Sequence, residues 1–192
     1  MKRLLIMMVL AILCTGCAST KTELAPEPEL EEKPLVECTD EELKTRVPGA
    51  TLEGEPRYVF SEYDKWLMSQ VLFQEAGATN MRLQLYCASV MLNQLDAPYY
   101  GDTIQKVLKR KNAYEGYDKF VTNGPAPYTG TCELVVDYVC HYGSVLPDYI
   151  WFFRTNELFP WKGVELYCVV KDLHSEVWFQ YFPEPLRRSG SH

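Results

Sequence analysis

The stretch Val71–Asn80, VLFQEAGATN, combines the end of a helix with a charged side chain at an apolar position. Leu67, Val71 and Glu75 follow one another at intervals of four residues, so they share one face of a helix that begins near Glu62. A glycine two residues after the glutamate suits the end of that helix. The pattern therefore predicts a helix over about 62–77 whose inward face carries a carboxyl group.

Glu75 has two interpretations. A glutamate near the end of a helix is most often a solvated surface residue. If Glu75 is buried beside Leu67 and Val71, near the negative end of the helix dipole, its charged form is disfavoured and its pKa rises. A carboxylic acid that keeps its proton near neutral pH is what a general acid for glycosidic bond cleavage requires. Glu75 is therefore the candidate catalytic residue.

The segments after this helix predict an α+β domain, mainly helical with a small antiparallel sheet near its C-terminus. A second helix, almost apolar all round, should occupy the centre of the core. Two more helices and three short aromatic or β-branched strands should follow. The expected helices are about 80–95, 103–109 and 131–142, and the expected strands are Tyr149–Phe153, Glu165–Val170 and Glu176–Phe182.

The segment Lys111–Tyr128, KNAYEGYDKFVTNGPAPY, mixes aromatic residues with glycine, proline and asparagine. This composition predicts an irregular loop, largely at the surface. Tyr114 and Tyr117 of the loop, with Trp151 and Phe153 of the first strand, are candidates for stacking on a sugar. Ordinary packing of these rings is the alternative.

The N-terminus reads as a targeting segment. A short apolar run over residues 4–13 follows Lys2 and Arg3, and small residues then precede Cys17. The run is half the length that a membrane-spanning helix needs. Residues 1–17 resemble a bacterial lipoprotein signal peptide with its lipobox, which implies export and a lipid on Cys17 that holds the protein at the membrane. An ordinary secretory signal or an uncleaved anchor is the alternative.

Residues 18–57 are predicted to form an acidic, proline-rich flexible linker. They contain eleven acidic residues, five basic residues and five prolines, with few large apolar side chains. The remainder of the chain is nearly neutral and lacks the basic face that nucleic acid needs. Residues 187–192 are expected to be a disordered tail, and a monomer is expected.

The cysteines and histidines do not form a recognisable framework. Five cysteines follow Cys17, an odd number, and no disulfide pattern is evident among Cys38, Cys87, Cys132, Cys140 and Cys168. Cys140 and His141 are adjacent instead of having the spacing of metal ligands, and no metal site is predicted. Cys87 lies among apolar neighbours in a helix, which argues against a cysteine peptidase.

Four segments carry a resemblance to a known family. They are Glu75-Ala-Gly77, the end of the apolar helix Val90-Met-Leu-Asn-Gln-Leu95, Tyr149-Ile-Trp-Phe-Phe-Arg154, and Glu176-Val-Trp-Phe179. In this order and spacing they resemble the catalytic domain of the SleB-type cell wall hydrolases, the spore-cortex-lytic enzyme family. The catalytic domain would then span residues 58–186.

The resemblance implies a lysozyme-like fold that cleaves the glycan strands of peptidoglycan without a metal or organic cofactor. It implies a lytic transglycosylase in which Glu75 is the single catalytic acid and base, and which leaves 1,6-anhydro-muramic ends. Asn93 matches the asparagine of the family's leucine-asparagine motif and is expected, with the four aromatic residues, to bind the glycan. Ala113-Tyr114 replaces a glutamine-phenylalanine pair of the family, and Glu176 replaces a histidine.

Three other functions are considered. A lysozyme-type hydrolase would need a second carboxylate, for which Asp96, Asp102 and Asp118 are candidates. A lipoprotein that binds wall glycan without cutting it would explain the altered positions 113 and 176. An amidase or peptidase acting on the peptide stems lacks both a metal motif and an activated nucleophile.

Overall fold

A computed structural model describes residues 33–155, 163–172 and 176–183 of the chain. These residues form an α+β unit that is mainly helical, with a small antiparallel sheet near the C-terminus, as the sequence predicts. A short 3-10 helix covers Leu35–Glu37. The α-helices are α1 (Asp40–Arg46), α2 (Glu62–Ala76), α3 (Met81–Asp96), α4 (Ile104–Lys109), α5 (Glu115–Asn123) and α6 (Thr131–Tyr142), and the strands are β1 (Phe152–Thr155), β2 (Glu165–Lys171) and β3 (Glu176–Tyr181).

Several predictions fall on other parts of the chain. The signal segment 1–17 with Cys17, the first part of the linker to residue 32, and the tail 187–192 lie outside the described residues. Within the described ranges, no helix combines the length and the apolar character needed to cross a bilayer.

Helix α2 begins and ends close to the predicted positions. Ser61 caps its first turn by accepting from the backbone N–H of Asp64, whose own side chain accepts from the N–H of Ser61. Leu67 and Val71 are fully buried, so the face that leads to Glu75 does turn inward.

Helix α3 is the centre of the fold. Thirteen of its sixteen residues are buried, and it contacts α1, α2, α4, α6 and β1. The side chain of Asn80 caps its start by accepting from the N–H of Leu83 at 2.9 Å. Cys87 lies in this core, as expected, and the five cysteines within the described ranges are free thiols.

The three strands form a sheet of order β1-β3-β2, and both pairs are antiparallel. Phe179 of the central strand is fully buried, and its ring meets the ring of Tyr86 on α3 edge-on, with centroids 5.3 Å apart. This contact joins the sheet to the helices. The first strand begins at Phe152 and not at Tyr149, because the backbone just before it bonds to side chains of α3 instead of to a strand.

The prediction of a flexible linker over 18–57 is wrong for its C-terminal part. Helix α1 begins with a capping box between Thr39 and Glu42, and Leu43 and Val47 are buried in the core. Arg82 of α3 holds this segment through an ion pair of 3.1 Å with Asp40. A few apolar residues spaced for one helical face are enough to dock the helix, despite the acidic and proline-rich composition.

The prediction of an irregular surface loop over 111–128 is also wrong in part. Residues 115–123 form α5, which packs against α2. Gly116 lowers the helix propensity of this segment but allows the two helices to approach closely. Gly124 ends the helix with a backbone φ of 78°.

Candidate active site

Glu75 lies in the last turn of α2 and points at the start of α5. Its Oε1 accepts a hydrogen bond from the backbone N–H of Gly116 at 2.5 Å. A Cβ atom on Gly116 would lie 2.7 Å from the carbonyl oxygen of Val71 and 3.0 Å from Cγ of Glu75. Glycine is therefore required at position 116 for α5 to lie this close to the carboxyl group.

Glu75 acts as the cap of α5. The side chain of Tyr114, the residue before the helix, does not cap the first turn. The N–H of Gly116, which has no partner within α5, donates to the carboxyl group of Glu75 on α2 instead. An acceptor at a helix N-terminus also interacts favourably with the helix dipole. This contact gives Glu75 a structural role besides any chemical one.

The pKa of Glu75 is raised above its ordinary value. Burial is the largest cause, since it disfavours the charged carboxylate. The hydrogen bond from Gly116 acts in the opposite direction, and the nearby charges of Glu115 and Asp118 raise the pKa further while Lys119 lowers it. The direction of this shift and its largest cause agree with the expectation for a buried Glu75.

Tyr114 lies in the interior and not on a surface loop. Only 3% of its surface is exposed, and its hydroxyl donates to Oε1 of Gln94 at 3.0 Å. Its ring lies beside Phe153, with centroids 6.1 Å apart, and burial strongly raises the pKa of its hydroxyl, with a further contribution from the charge of Glu75. The structure thus brings Tyr114, Phe153 and Glu75 into one region, but the ring of Tyr114 is covered.

Asn93 is a structural residue. Its amide Nδ2 donates to the carbonyl oxygens of Pro147 at 2.7 Å and Ile150 at 3.0 Å. The next residue, Gln94, donates to the carbonyl oxygen of Trp151 at 2.6 Å. These side chains hold the segment before β1 against α3. Asn93 also lines a surface cavity of about 230 Å³, which brings it together with Trp151.

Trp151, Phe153 and Tyr117 differ in their surroundings. Trp151 is 7% exposed, its indole N–H donates to the carbonyl oxygen of Asp148, and it lines the same cavity of about 230 Å³ as Asn93. Phe153 is half-buried on β1, where its ring lies beside the rings of Tyr114 and Phe179. Tyr117 is also half-buried and follows Gly116 directly, so it is the candidate aromatic residue that lies nearest along the chain to the contact with Glu75.

The candidate second carboxylates are separated by the fold. Asp96 accepts from the hydroxyl of Tyr58 at 2.5 Å, and Asp102 forms an exposed ion pair with Lys106. Asp118 lies on α5, where its charge raises the pKa of Glu75. Among the three, Asp118 is the one with an electrostatic effect on the candidate acid.

Five surface cavities on the described residues do not include the candidate acid. Five cavities on the described residues have volumes of about 180–580 Å³, and Glu75 lines none of these five. Glu75 as a whole is half-buried, and burial of its carboxyl group is what raises its pKa. In the described ranges, His, Cys, Asp and Glu side chains do not cluster in threes that could hold a metal ion.

Sequence reasoning missed Gly116, whose N–H is the direct partner of Glu75. The signal available was a glycine inside a segment that otherwise has helical spacing of its aromatic residues. No family model, no curated protein and no solved structure matches this chain.

Proposed function

We propose that this protein cleaves the glycan strands of peptidoglycan as a lytic transglycosylase, with Glu75 as the catalytic acid and base. The observation that carries the proposal is the carboxyl group at the end of α2, whose pKa is raised mainly by burial. The four segments that resemble the SleB-type cell wall hydrolases support the same assignment. The mainly helical α+β fold is compatible with it.

The proposed reaction uses both protonation states of Glu75. The protonated acid donates its proton to the bridging oxygen, and the bond from that oxygen to the anomeric carbon of the muramic residue breaks. The carboxylate then takes the proton of the muramic 6-hydroxyl, whose oxygen closes the 1,6-anhydro ring. Glu75 ends the cycle protonated, and no water is consumed.

The surroundings of Glu75 suit both the protonated and the ionised form of its carboxyl group. Burial favours the protonated form that must donate first. The N–H of Gly116 and the N-terminus of α5 stabilise the carboxylate that remains after donation. A single glutamate with these two opposing influences can act as acid and then as base.

A second candidate function is a lipoprotein that binds wall glycan without cutting it. The observation in its favour is the same hydrogen bond, because capping α5 gives Glu75 a structural reason to be where it is. A hydrolase in which Asp118 assists Glu75 is a third variant, and it differs in product from the transglycosylase.

Digestion of purified sacculi tests the proposal. The parent, Glu75→Gln and the matched control Glu41→Gln are compared, because the side chain of Glu41 is 82% exposed on α1, far along the chain from the site. We expect the parent and the control to release muropeptides with anhydro-muramic ends, and Glu75→Gln to release at least about a hundredfold less. The amide oxygen introduced by Glu75→Gln can still accept from the N–H of Gly116, so the fold should be retained.

The outcomes separate the candidates. Reducing muramic ends would indicate hydrolysis, and equal release by Glu75→Gln would remove Glu75 from catalysis. If neither the parent nor Glu75→Gln releases products while both sediment with sacculi, the protein is a binding module.

We also propose that the protein is exported and held at the membrane by a lipid on Cys17. The support is the small residues before that cysteine and the short apolar run that precedes them. Incorporation of labelled palmitate in a bacterial host should be seen for the parent and lost for Cys17→Ser. Label that persists in this variant would contradict the anchor.

A further inference from the structure

Four aromatic rings form a continuous row along α2 and α5. The ring centroids of Tyr63 and Trp66 are 5.6 Å apart, those of Trp66 and Phe120 are 5.6 Å apart, and those of Phe120 and Tyr117 are 6.1 Å apart. Tyr63 is 50% exposed and Trp66 is 38% exposed. Large aromatic rings in contact with one another at a surface are typical of a binding site. We call these four residues the aromatic row.

The aromatic row and Glu75 share helix α2 but not one face of it. Trp66 and Glu75 are nine residues apart, which at 3.6 residues per turn places them on opposite faces. Tyr63 and Glu75 are twelve residues apart on α2, which corresponds to about 18 Å along the helix axis. At the other side, Tyr117 is the neighbour of Gly116, whose N–H bonds to Glu75. The row spans the length of a short oligosaccharide, and its Tyr117 end is the one next in the chain to the residue that bonds to Glu75.

Trp66 also forms one wall of a cavity between α2 and α6, with a volume of about 250 Å³. Polar side chains surround the indole ring there: Glu62, Lys65, Ser69, Glu133 and Asp137. Carboxylate and hydroxyl oxygens accept hydrogen bonds, and the ammonium group of Lys65 donates them. An aromatic face surrounded by such groups suits a sugar, whose C–H face is apolar and whose edge carries hydroxyl and amide groups.

The charges of this cavity select among the parts of peptidoglycan. Three carboxylates face one ammonium group, and Lys65 is already paired with Asp137 at 2.9 Å. The excess of negative charge repels an anionic peptide stem or the lactyl carboxylate of a muramic residue. It does not repel a neutral N-acetylhexosamine.

We propose that the aromatic row and the adjoining cavity bind neutral N-acetylhexosamine units of the wall glycan. The proposal rests on the proposed function for the identity of the polymer. Trp66 provides the central stacking face, Tyr63 extends it away from Glu75, and the α2–α6 cavity holds one sugar through its polar edge.

Binding is measured by calorimetry with tetra-N-acetylchitotetraose, a neutral oligomer of N-acetylglucosamine. The full chain carries Glu75→Gln in all samples, so that cleavage does not interfere. We expect Trp66→Ala to weaken binding about fivefold to tenfold and Tyr63→Ala about threefold. Tyr167→Ala is the matched control, because Tyr167 is also 38% exposed but lies on β2, and the affinity of this variant should be unchanged.

The experiment can overturn the proposal in two ways. If the Glu75→Gln chain does not bind the oligomer saturably, or if both row variants bind it as tightly as the control, the aromatic row is not a glycan site. Should Trp66→Ala be unfolded by circular dichroism, Tyr63→Ala decides the question, since half of that residue is exposed.

The failure of this proposal is distinguishable from that of the proposed function. If the row variants lose affinity for the oligomer and the protein never releases muropeptides, the glycan site is supported and the enzymatic function is refuted. If the protein releases anhydro-muropeptides and its row variants bind and cleave normally, the enzymatic function is supported and the aromatic row is refuted as a glycan site.

Discussion

Replacing Gly116 by alanine tests the contact that positions Glu75. The added Cβ would lie 2.7 Å from the carbonyl oxygen of Val71 and 3.0 Å from Cβ of Gln74 and Cγ of Glu75. The first of these atoms belongs to the backbone of α2 and cannot rotate away. Helix α5 must therefore move outward.

The expected change in the free energy of unfolding on Gly116→Ala combines two opposing effects. Overpacking of this kind costs about 1–3 kcal/mol. Alanine is a better helix former than glycine by about 1 kcal/mol, which offsets part of that cost. We expect Gly116→Ala to lower the free energy of unfolding by about 1–2 kcal/mol and the melting temperature by roughly 2–8 °C.

The assay combines urea unfolding with the release of muropeptides. Val121→Ala is the control on the same helix, because Val121 is 62% exposed and its truncation should change stability by less than about 0.5 kcal/mol. Gly116→Ala should also reduce product release, since its N–H moves away from Oε1 of Glu75. A Gly116→Ala protein as stable and as active as the parent would refute the described packing of α5 on α2.

Three further predictions concern other contacts. Burial raises the pKa of Glu75 in the folded state above the ordinary value of 4.5, so the buried carboxyl group lowers stability only once the pH rises through the folded-state pKa. Glu75→Gln should therefore gain stability relative to the parent as the pH rises from about 4 to neutrality, as measured by urea titrations at several pH values. A stability difference that does not change with pH would contradict the shift. Asn93→Ala removes two hydrogen bonds to buried backbone carbonyls, and we expect a loss of about 2–4 kcal/mol in the free energy of unfolding; a loss below about 1 kcal/mol would show that these bonds do not hold the segment before β1. Arg82→Ala breaks the ion pair with Asp40 and the bonds to two carbonyl groups, so limited proteolysis should cut residues 33–50 faster while the rest of the domain stays protected; an unchanged cleavage rate would mean that α1 is held by its apolar face alone.

The sequence was sufficient for the helices with a clear hydrophobic pattern. Predicted and observed bounds agree within one residue or so for α2, α3 and α4, and they coincide for α6. In α2 and α6 an apolar stripe combines with a cap or a terminal glycine, and in α3 nearly every side chain is apolar. Apolar stripes, caps and terminal glycines depend on local sequence, so they predict helices that are also present in the folded chain.

The errors arise where tertiary contacts override composition. Helix α5 was not predicted because Gly116 and the prolines after it are typical of loops, yet the glycine is needed for contact with α2. Helix α1 was not predicted because its acidic residues dominate the composition, yet Leu43 and Val47 bury enough apolar surface to dock it. Neither contact can be read from local propensity.

The candidate site was predicted in part. The apolar stripe correctly placed Glu75 at an inward-facing position with a raised pKa. The proposed sugar-stacking residues are aromatic residues expected on a surface loop or in the first strand, but Tyr114 is in the interior and Trp151 is only 7% exposed, at a cavity. Tyr63 and Trp66 were not considered, because their exposure depends on where α5 and α6 lie against α2.

The near-complete enclosure of α3 determines where this sequence can vary. Only Arg82, Leu95 and Asp96 of its sixteen residues escape burial, and even its buried polar residues, such as Asn93, have hydrogen-bond partners. In a deep mutational scan, α3 should therefore appear as a band of intolerant positions, while α4, α5 and β2 should accept changes on their outward faces. As such a protein diverges, its surface residues should be replaced long before the residues of this helix.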